Sequence, residues 1–167
     1  MGFIPKKFFL TSGKGTHRYE LHSFELALRD AGIEKCNLVK VSSIIPPKCK
    51  QIERKRGINK IKPGQITYVV LSMNKTKEIE KTIGASIGIA MPSNKEKHGY
   101  IAEYKSIDES KDKIEKKARK IASTMLNTLQ EKDFEKDEIM TNSISKTGKN
   151  TKPKFWHTVL AAAVFVE

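Results

Sequence analysis

Asn37-Leu38-Val39-Lys40-Val41-Ser42-Ser43-Ile44-Ile45-Pro46-Pro47 places two adjacent hydroxyls inside a β-branched, apolar run that stops at two prolines. Val39, Val41, Ile44 and Ile45 favour a pleated, half-buried segment. Pro46 cannot continue a sheet ladder and biases Ile45 toward an extended backbone. The stretch therefore reads as a strand with a rigid exit, and the serines belong to a strand end. A buried hydroxyl needs a hydrogen-bond partner or costs stability, so two of them there ask for a reason. Strand ends often carry serine, and the pair alone does not separate a structural reason from a chemical one.

Working outward, Leu21, Phe24, Leu28 and Ala31 recur at three and four residues and predict a helix with one apolar face, stopped by Gly32. Glu25 lies beside that stripe, and periodicity alone makes it a solvated carboxylate. Phe8-Phe9-Leu10-Thr11 predicts a short strand closed by a turn at Ser12-Gly13-Lys14-Gly15. After the prolines, Lys48 to Gly64 reads as an exposed, mobile excursion. Gln65–Met73 and Ile83–Met91 predict strands. In the second, bulky Ile83, Ile87 and Ile89 alternate with small Gly84, Ser86, Gly88 and Ala90, so both faces are expected to be covered. His98–Lys105 is a further strand in which Glu103 shares a face with Ile101. If that face is buried, Glu103 points inward or into a cleft.

Asp108–Lys132 predicts a long helix with Ile114, Ala118, Ile121, Met125 and Leu129 as its inner stripe. Glu138–Ser145 and Phe155–Val166 close the chain as strands around a polar loop at residues 146–154. Two helices and about six or seven strands make an α+β arrangement in which each helix covers a sheet and the sheets pack together. The element order looks like strand-helix-strand-strand used twice.

The segment Asn37–Pro47 resembles the self-cleavage segment of pyruvoyl-dependent arginine decarboxylases, and Phe24–Ile33 resembles the helix before it. Ile83–Pro92, Gly99–Tyr104, and His157-Thr158 with Ala161-Ala162-Ala163 follow in the expected order, so the likeness covers nearly the whole chain. The resemblance implies a four-layer αββα sandwich, assembled as a homotrimer with active sites near subunit boundaries. It also implies a cofactor made from the chain. No side chain contains an electrophilic carbonyl, and decarboxylation needs one to hold the electrons left by carbon dioxide.

By that resemblance, Ser43 Oγ attacks the Ser42 carbonyl, the ester eliminates, and Ser43 becomes a pyruvoyl group, leaving a β chain of residues 1–42 and an α chain of residues 43–167. Such an attack is expected to need a backbone held out of its relaxed geometry and a donor for the oxyanion, with Asn37 the candidate. Glu103 matches the proton donor to the substrate carbon, a role suited to a carboxyl in a desolvated cleft. Glu25 matches the carboxylate that receives the guanidinium, with Ser42 assisting. The implied reaction turns L-arginine into agmatine and carbon dioxide, a step toward polyamines. The family usually has aspartate where this chain has Glu25, and the longer side chain shortens the pocket, which leaves ornithine or lysine open as substrate.

The totals agree with one soluble domain over residues 1–167: 38% hydrophobic and 31% charged residues. Lys6 and Lys7 precede only a short apolar patch, and Val159–Val166 is too short to span a bilayer, so the cytoplasm is the expected location and no membrane partner is expected. Cys36 and Cys49 read as reduced structural thiols. With His17, His22, His98 and His157 scattered, no metal site is expected. A formal charge of +13 favours the rival class, a non-catalytic nucleic-acid-binding protein using Lys48–Lys62. No aromatic residue interrupts that patch to stack bases, and the second basic cluster, Lys111–Lys120, is interleaved with acids, so a nucleic-acid partner is the weaker reading.

Overall fold

In the computed structural model, which describes residues 2–130 and 137–167, the turn expected at Ser12–Gly15 is instead the middle of an unbroken strand, β1 (Lys7–His17). The two glycines serve contact. A Cβ at Gly13 would overlap the Ala27 carbonyl oxygen and one at Gly15 the Ser23 carbonyl oxygen, so both let helix α1 (Glu20–Ala31) lie directly on the strand. The buried face of α1 is accordingly the small series Ser23, Ala27 and Ala31, with Phe24 and Leu28 at its flanks and Leu21 exposed. Gly32 ends the helix in the left-handed region at φ 76°.

The chain continues through β2 (Asn37–Lys40), β3 (Ile44–Ile45), β4 (Lys50–Gln51), α2 (Arg54–Ile58), β5 (Ile66–Thr76), β6 (Thr82–Pro92), β7 (Gly99–Ile107), α3 (Lys111–Gln130), β8 (Ile139–Lys149) and β9 (Trp156–Val166). The protein is thus mixed α/β, with two sheets and three helices among the described residues. One sheet has the order β2-β5-β9-β1-β4 and the other β3-β7-β6-β8. The long antiparallel pair β1 and β9 runs from Lys7 opposite Val166 to His17 opposite Trp156.

Alternation decides the packing. Phe8, Leu10, Val70, Ala161, Ala163 and Phe165 of the first sheet meet Ile87, Ile89 and Ile101 of the second. The opposite face of the first sheet, with Phe9, Val69, Leu71 and Ala162, lies under Ala27 and Ala31 of α1 and Ile58 of α2. On the second sheet, Ala90 and Ala102 lie under Ala122 and Leu126 of α3. Both faces of β6 are covered, as its alternation predicts, and Gly88 lies so close to Ala118 that a Cβ would overlap the helix backbone.

Three further expectations are corrected. Residues 48–64 form an ordered strand and helix: Gly57 of α2 is buried against the Phe9 ring, and Arg54 donates to Thr11 Oγ1 (2.9 Å) and the Asp30 carbonyl (2.9 Å). The inner stripe of α3 is Ile114, Ala118, Ala122, Leu126 and Gln130, leaving Ile121 and Leu129 on the flank, because close approach to β6 selects small residues over large ones. The expected last residues of that helix, 131–132, lie outside the described residues. The loop expected at 146–154 begins later, since β8 pairs with β6 as far as Lys149 opposite Thr82. As an edge strand β8 carries the polar residues that blunt an open edge, which hides it from periodicity.

Candidate active site

The run Asn37–Pro47 is two strands in different sheets, where a single strand was expected. β2 is one edge of the five-stranded sheet and β3 one edge of the four-stranded sheet. The Val41 N–H still donates to the Val69 carbonyl of the first sheet (3.0 Å), whereas the Ser43 carbonyl already accepts from the Ile101 N–H of the second (2.7 Å). Ser42 is the residue that crosses. The Ile44 N–H donates back to the Ser42 carbonyl (3.1 Å), closing a three-residue turn centred on Ser43. Ser43 keeps a negative φ, so the turn is of the relaxed inverse kind and the expected left-over backbone strain is not visible as a left-handed residue.

The exit is pinned as well. Lys48, at φ 62°, donates its N–H to the Lys95 carbonyl (2.9 Å), and the Cys49 N–H donates to the Pro46 carbonyl (3.1 Å). Burial pushes the Cys49 thiol up to about 11, which keeps it protonated and inert.

Glu103 lies two residues along β7 from the Ile101 that holds Ser43, a Cα separation of ~7 Å in an extended strand. Ile101 is fully buried between the sheets, but Glu103, on the same face, is exposed in the single chain, contrary to the inward or cleft position expected for it. The reason is the margin: β6 flanks β7 on one side at that level, but on the other side β3 is only two residues long and stops opposite Tyr100. Ser72 Oγ and Asn74 Nδ2 of β5 donate to the Tyr104 and Ser106 carbonyls of β7, both at 2.9 Å, and tie the sheets together along this margin.

Ser42, Ser43 and Glu103 are therefore brought to one open edge, and the other two candidates are not. Asn37 stands at the far end of β2, about 16 Å of extended chain from Ser42. Its amide donates to the carbonyl of Gly64 (3.0 Å). Glu25 lies on α1, which covers β1 and β9. Its Oε1 accepts from Arg29 Nε (2.5 Å), while Oε2 is shielded, has no hydrogen-bond partner, and stands 3.7 Å from His22 Nε2. A cleft of about 1010 Å³ lined by Phe3, Lys62, Gly64, Ile66, Tyr68 and Phe165 contains neither Ser43 nor Glu103.

Sequence reasoning missed the main-chain donors at Ile44 and Ile101. Every residue carries an amide, and only the tertiary pairing distinguishes these two.

A family profile described as "Pyruvoyl-dependent arginine decarboxylase (PvlArgDC)" matches residues 7–167. The chain belongs to the pyruvoyl-dependent arginine decarboxylase family. A relative named as a pyruvoyl-dependent arginine decarboxylase in Methanocella arvoryzae is 45% identical over 99% of this chain and 98% of its own. A pyruvoyl-dependent arginine decarboxylase 1 of Methanosarcina acetivorans is 40% identical over 98% and 96%. A probable pyruvoyl-dependent arginine decarboxylase of Chlorobaculum tepidum reaches 48% over 77% and 71%. Membership of the pyruvoyl-dependent arginine decarboxylase family implies a covalently bound pyruvoyl group. The residues present fit one at position 43: the preceding carbonyl has a hydrogen-bond donor, and the following one is anchored to β7.

Proposed function

We propose that the chain is a self-processing decarboxylase that converts L-arginine into agmatine and carbon dioxide. The observation that carries the reading is the sheet switch at Ser42–Ser43, where a serine peptide with a hydrogen-bonded carbonyl is held on β7 two residues along from Glu103 in a chain of this family. Cleavage between the serines divides the single domain into residues 1–42 and 43–167. The pyruvoyl group then supplies the carbonyl that takes up the electrons released with carbon dioxide.

The chain's own residues do the rest. Ile101 holds the carbonyl after position 43 in place, so the reactive end stays on β7. Glu103 delivers a proton to the substrate carbon. Ser42 and Glu25 bind the substrate, and Oε2 of Glu25, which has no hydrogen-bond partner, is the acceptor offered to a guanidinium.

Glu25 lies far around the same chain, and Glu103 is exposed. A site that needs both, with water excluded, is completed by another copy. A homotrimer with sites between protomers satisfies this, and Asn37, exposed at the far end of β2, then assists the processing segment of a neighbour. The layer order α1, sheet, sheet, α3 supports the four-layer αββα sandwich. The runs β1-α1-β2-β3 and β7-α3-β8-β9 support two strand-helix-strand-strand halves. The cytoplasm is the proposed location, and no described helix is long and apolar enough to cross a membrane.

The intact mass under denaturing conditions tests the reading. Two fragments broken between Ser42 and Ser43, the larger lacking a free α-amine, are expected, together with agmatine formation in preference to ornithine and lysine products. A single 18.9 kDa species that releases no carbon dioxide from arginine overturns it.

A further inference from the structure

We propose that the backbone N–H of Ile44 is the oxyanion donor for scission of the Ser42–Ser43 peptide. The inference rests on the self-processing reading and adds the group that drives its first step.

The geometry is specific. Because the Ser43 carbonyl accepts from the Ile101 N–H, Ser43 and Ile101 are a hydrogen-bonded pair of the antiparallel ladder. The next pair, Ile44 opposite Tyr100, is then a non-hydrogen-bonded one, and the Ile44 N–H points away from β7. β3 is the edge of its sheet, so no strand lies on that side to receive it. Its acceptor is the Ser42 carbonyl, the group that Ser43 Oγ must attack (3.1 Å).

The peptide is clamped on both sides of this contact, by Val41 on β5 and by Ser43 on β7. The side-chain amide of Asn37 is engaged with Gly64 at the other end of β2, so within one chain the main-chain donor is the one in place. An edge-strand amide normally binds water; here the tight turn spends it on the scissile carbonyl.

In the step itself Ser43 Oγ adds to the Ser42 carbonyl carbon and the carbonyl electron pair moves onto oxygen, where the Ile44 N–H meets it. Collapse breaks the bond from Ser42 carbon to Ser43 nitrogen. The hydroxyl proton ends on that nitrogen, and an ester joins Ser42 to Ser43 Oγ. Loss of the Ser43 Cα proton to solvent then breaks the Cβ–Oγ bond, freeing Ser42 as a carboxylate and leaving dehydroalanine at 43. Addition of water and departure of ammonia give the pyruvoyl group.

The test follows scission by denaturing mass spectrometry after cell-free synthesis of the full chain. The wild type is compared with Ile44→Val, which keeps the donor, and with Ile44→Pro, which removes it without touching the ladder. Because proline also restricts Ser43, a fourth chain carries the α-hydroxy analogue of isoleucine at position 44, which removes the N–H and keeps the side chain. Thermal melts establish that each chain is folded.

The expected result is wild-type scission in Ile44→Val and scission slowed by roughly tenfold to a hundredfold in both chains without the donor. The precursor accumulating in Ile44→Pro should resist hydroxylamine, since the delay precedes the ester. Wild-type rates in a folded chain lacking the donor, or a hydroxylamine-labile precursor in Ile44→Pro, overturn the inference. Failure of the wild type itself to cleave overturns the self-processing reading instead.

Discussion

In the proposed reaction Ser43 and Glu103 act at different stages, and single substitutions separate them. Ser43→Ala has no nucleophile and should remain one chain. Glu103→Gln keeps the hydrogen-bonding shape and lies two residues from the contact that holds Ser43, so it should still cleave. Its decarboxylation rate should then fall by about 10²–10⁴, the usual contribution of a positioned proton donor, as measured by single-turnover carbon dioxide release. Glu25→Gln should act on binding. Losing a charge-assisted hydrogen bond costs about 1.5–3 kcal/mol, so the KM for arginine should rise by roughly tenfold or more while cleavage is untouched. The serines and Glu103 are candidates a sequence can offer, because the chemistry proposed for them resides in side chains. The Ile44 amide could not, since what marks it is an edge position and a turn.

At the level of elements, small residues set the distances. Gly88→Ala pushes a methyl group into the backbone of α3 at Ala118, where neither layer can give way, and should destabilise by about 1–3 kcal/mol in chemical unfolding. The same logic explains which parts of the fold were legible. The β6 alternation, the α1 stop at Gly32 and the α3 helix followed from pattern. The length of β1 did not, because Gly13 and Gly15 signal a turn locally and a helix contact only in three dimensions. The small Ala122 was likewise passed over for Ile121.

Where β7 meets α3, Glu109 accepts from Lys117 (2.6 Å) and Tyr104 (2.8 Å) and pairs with Lys113 (2.9 Å). These partners, Lys117 foremost, lower its carboxyl from 4.5 to about 2. A folded value below the ordinary one means that the stabilisation is present above about pH 4.5 and is lost as pH falls toward 2. Melting temperatures of the native protein and Glu109→Gln should therefore differ at neutral pH and converge below pH 3, as about 2 is approached.

Across the whole molecule the charge of +13 opposes a cationic substrate at long range, so local carboxylates must capture it. Raising ionic strength from about 0.01 M to 0.15 M shortens the screening length from roughly 30 to 8 Å and should raise kcat/KM for arginine, whereas capture by an acidic surface would lower it. The order of the strands has another consequence. β1 lies between β9 and β4 and β2 lies against β5, so the first 42 residues are woven into a sheet whose other strands all come from the remainder. Under the proposed cut between Ser42 and Ser43, the protein becomes a complex of two polypeptides that never had to find each other. Melting it sets them loose, and recovery then requires a bimolecular encounter between a fragment already shorn of its original end and one that has lost a serine. On the proposed cleavage the uncut precursor should refold at a rate independent of concentration and the mature form should not, and the fold would then be inherited from a covalent parent that the cut protein could no longer rebuild.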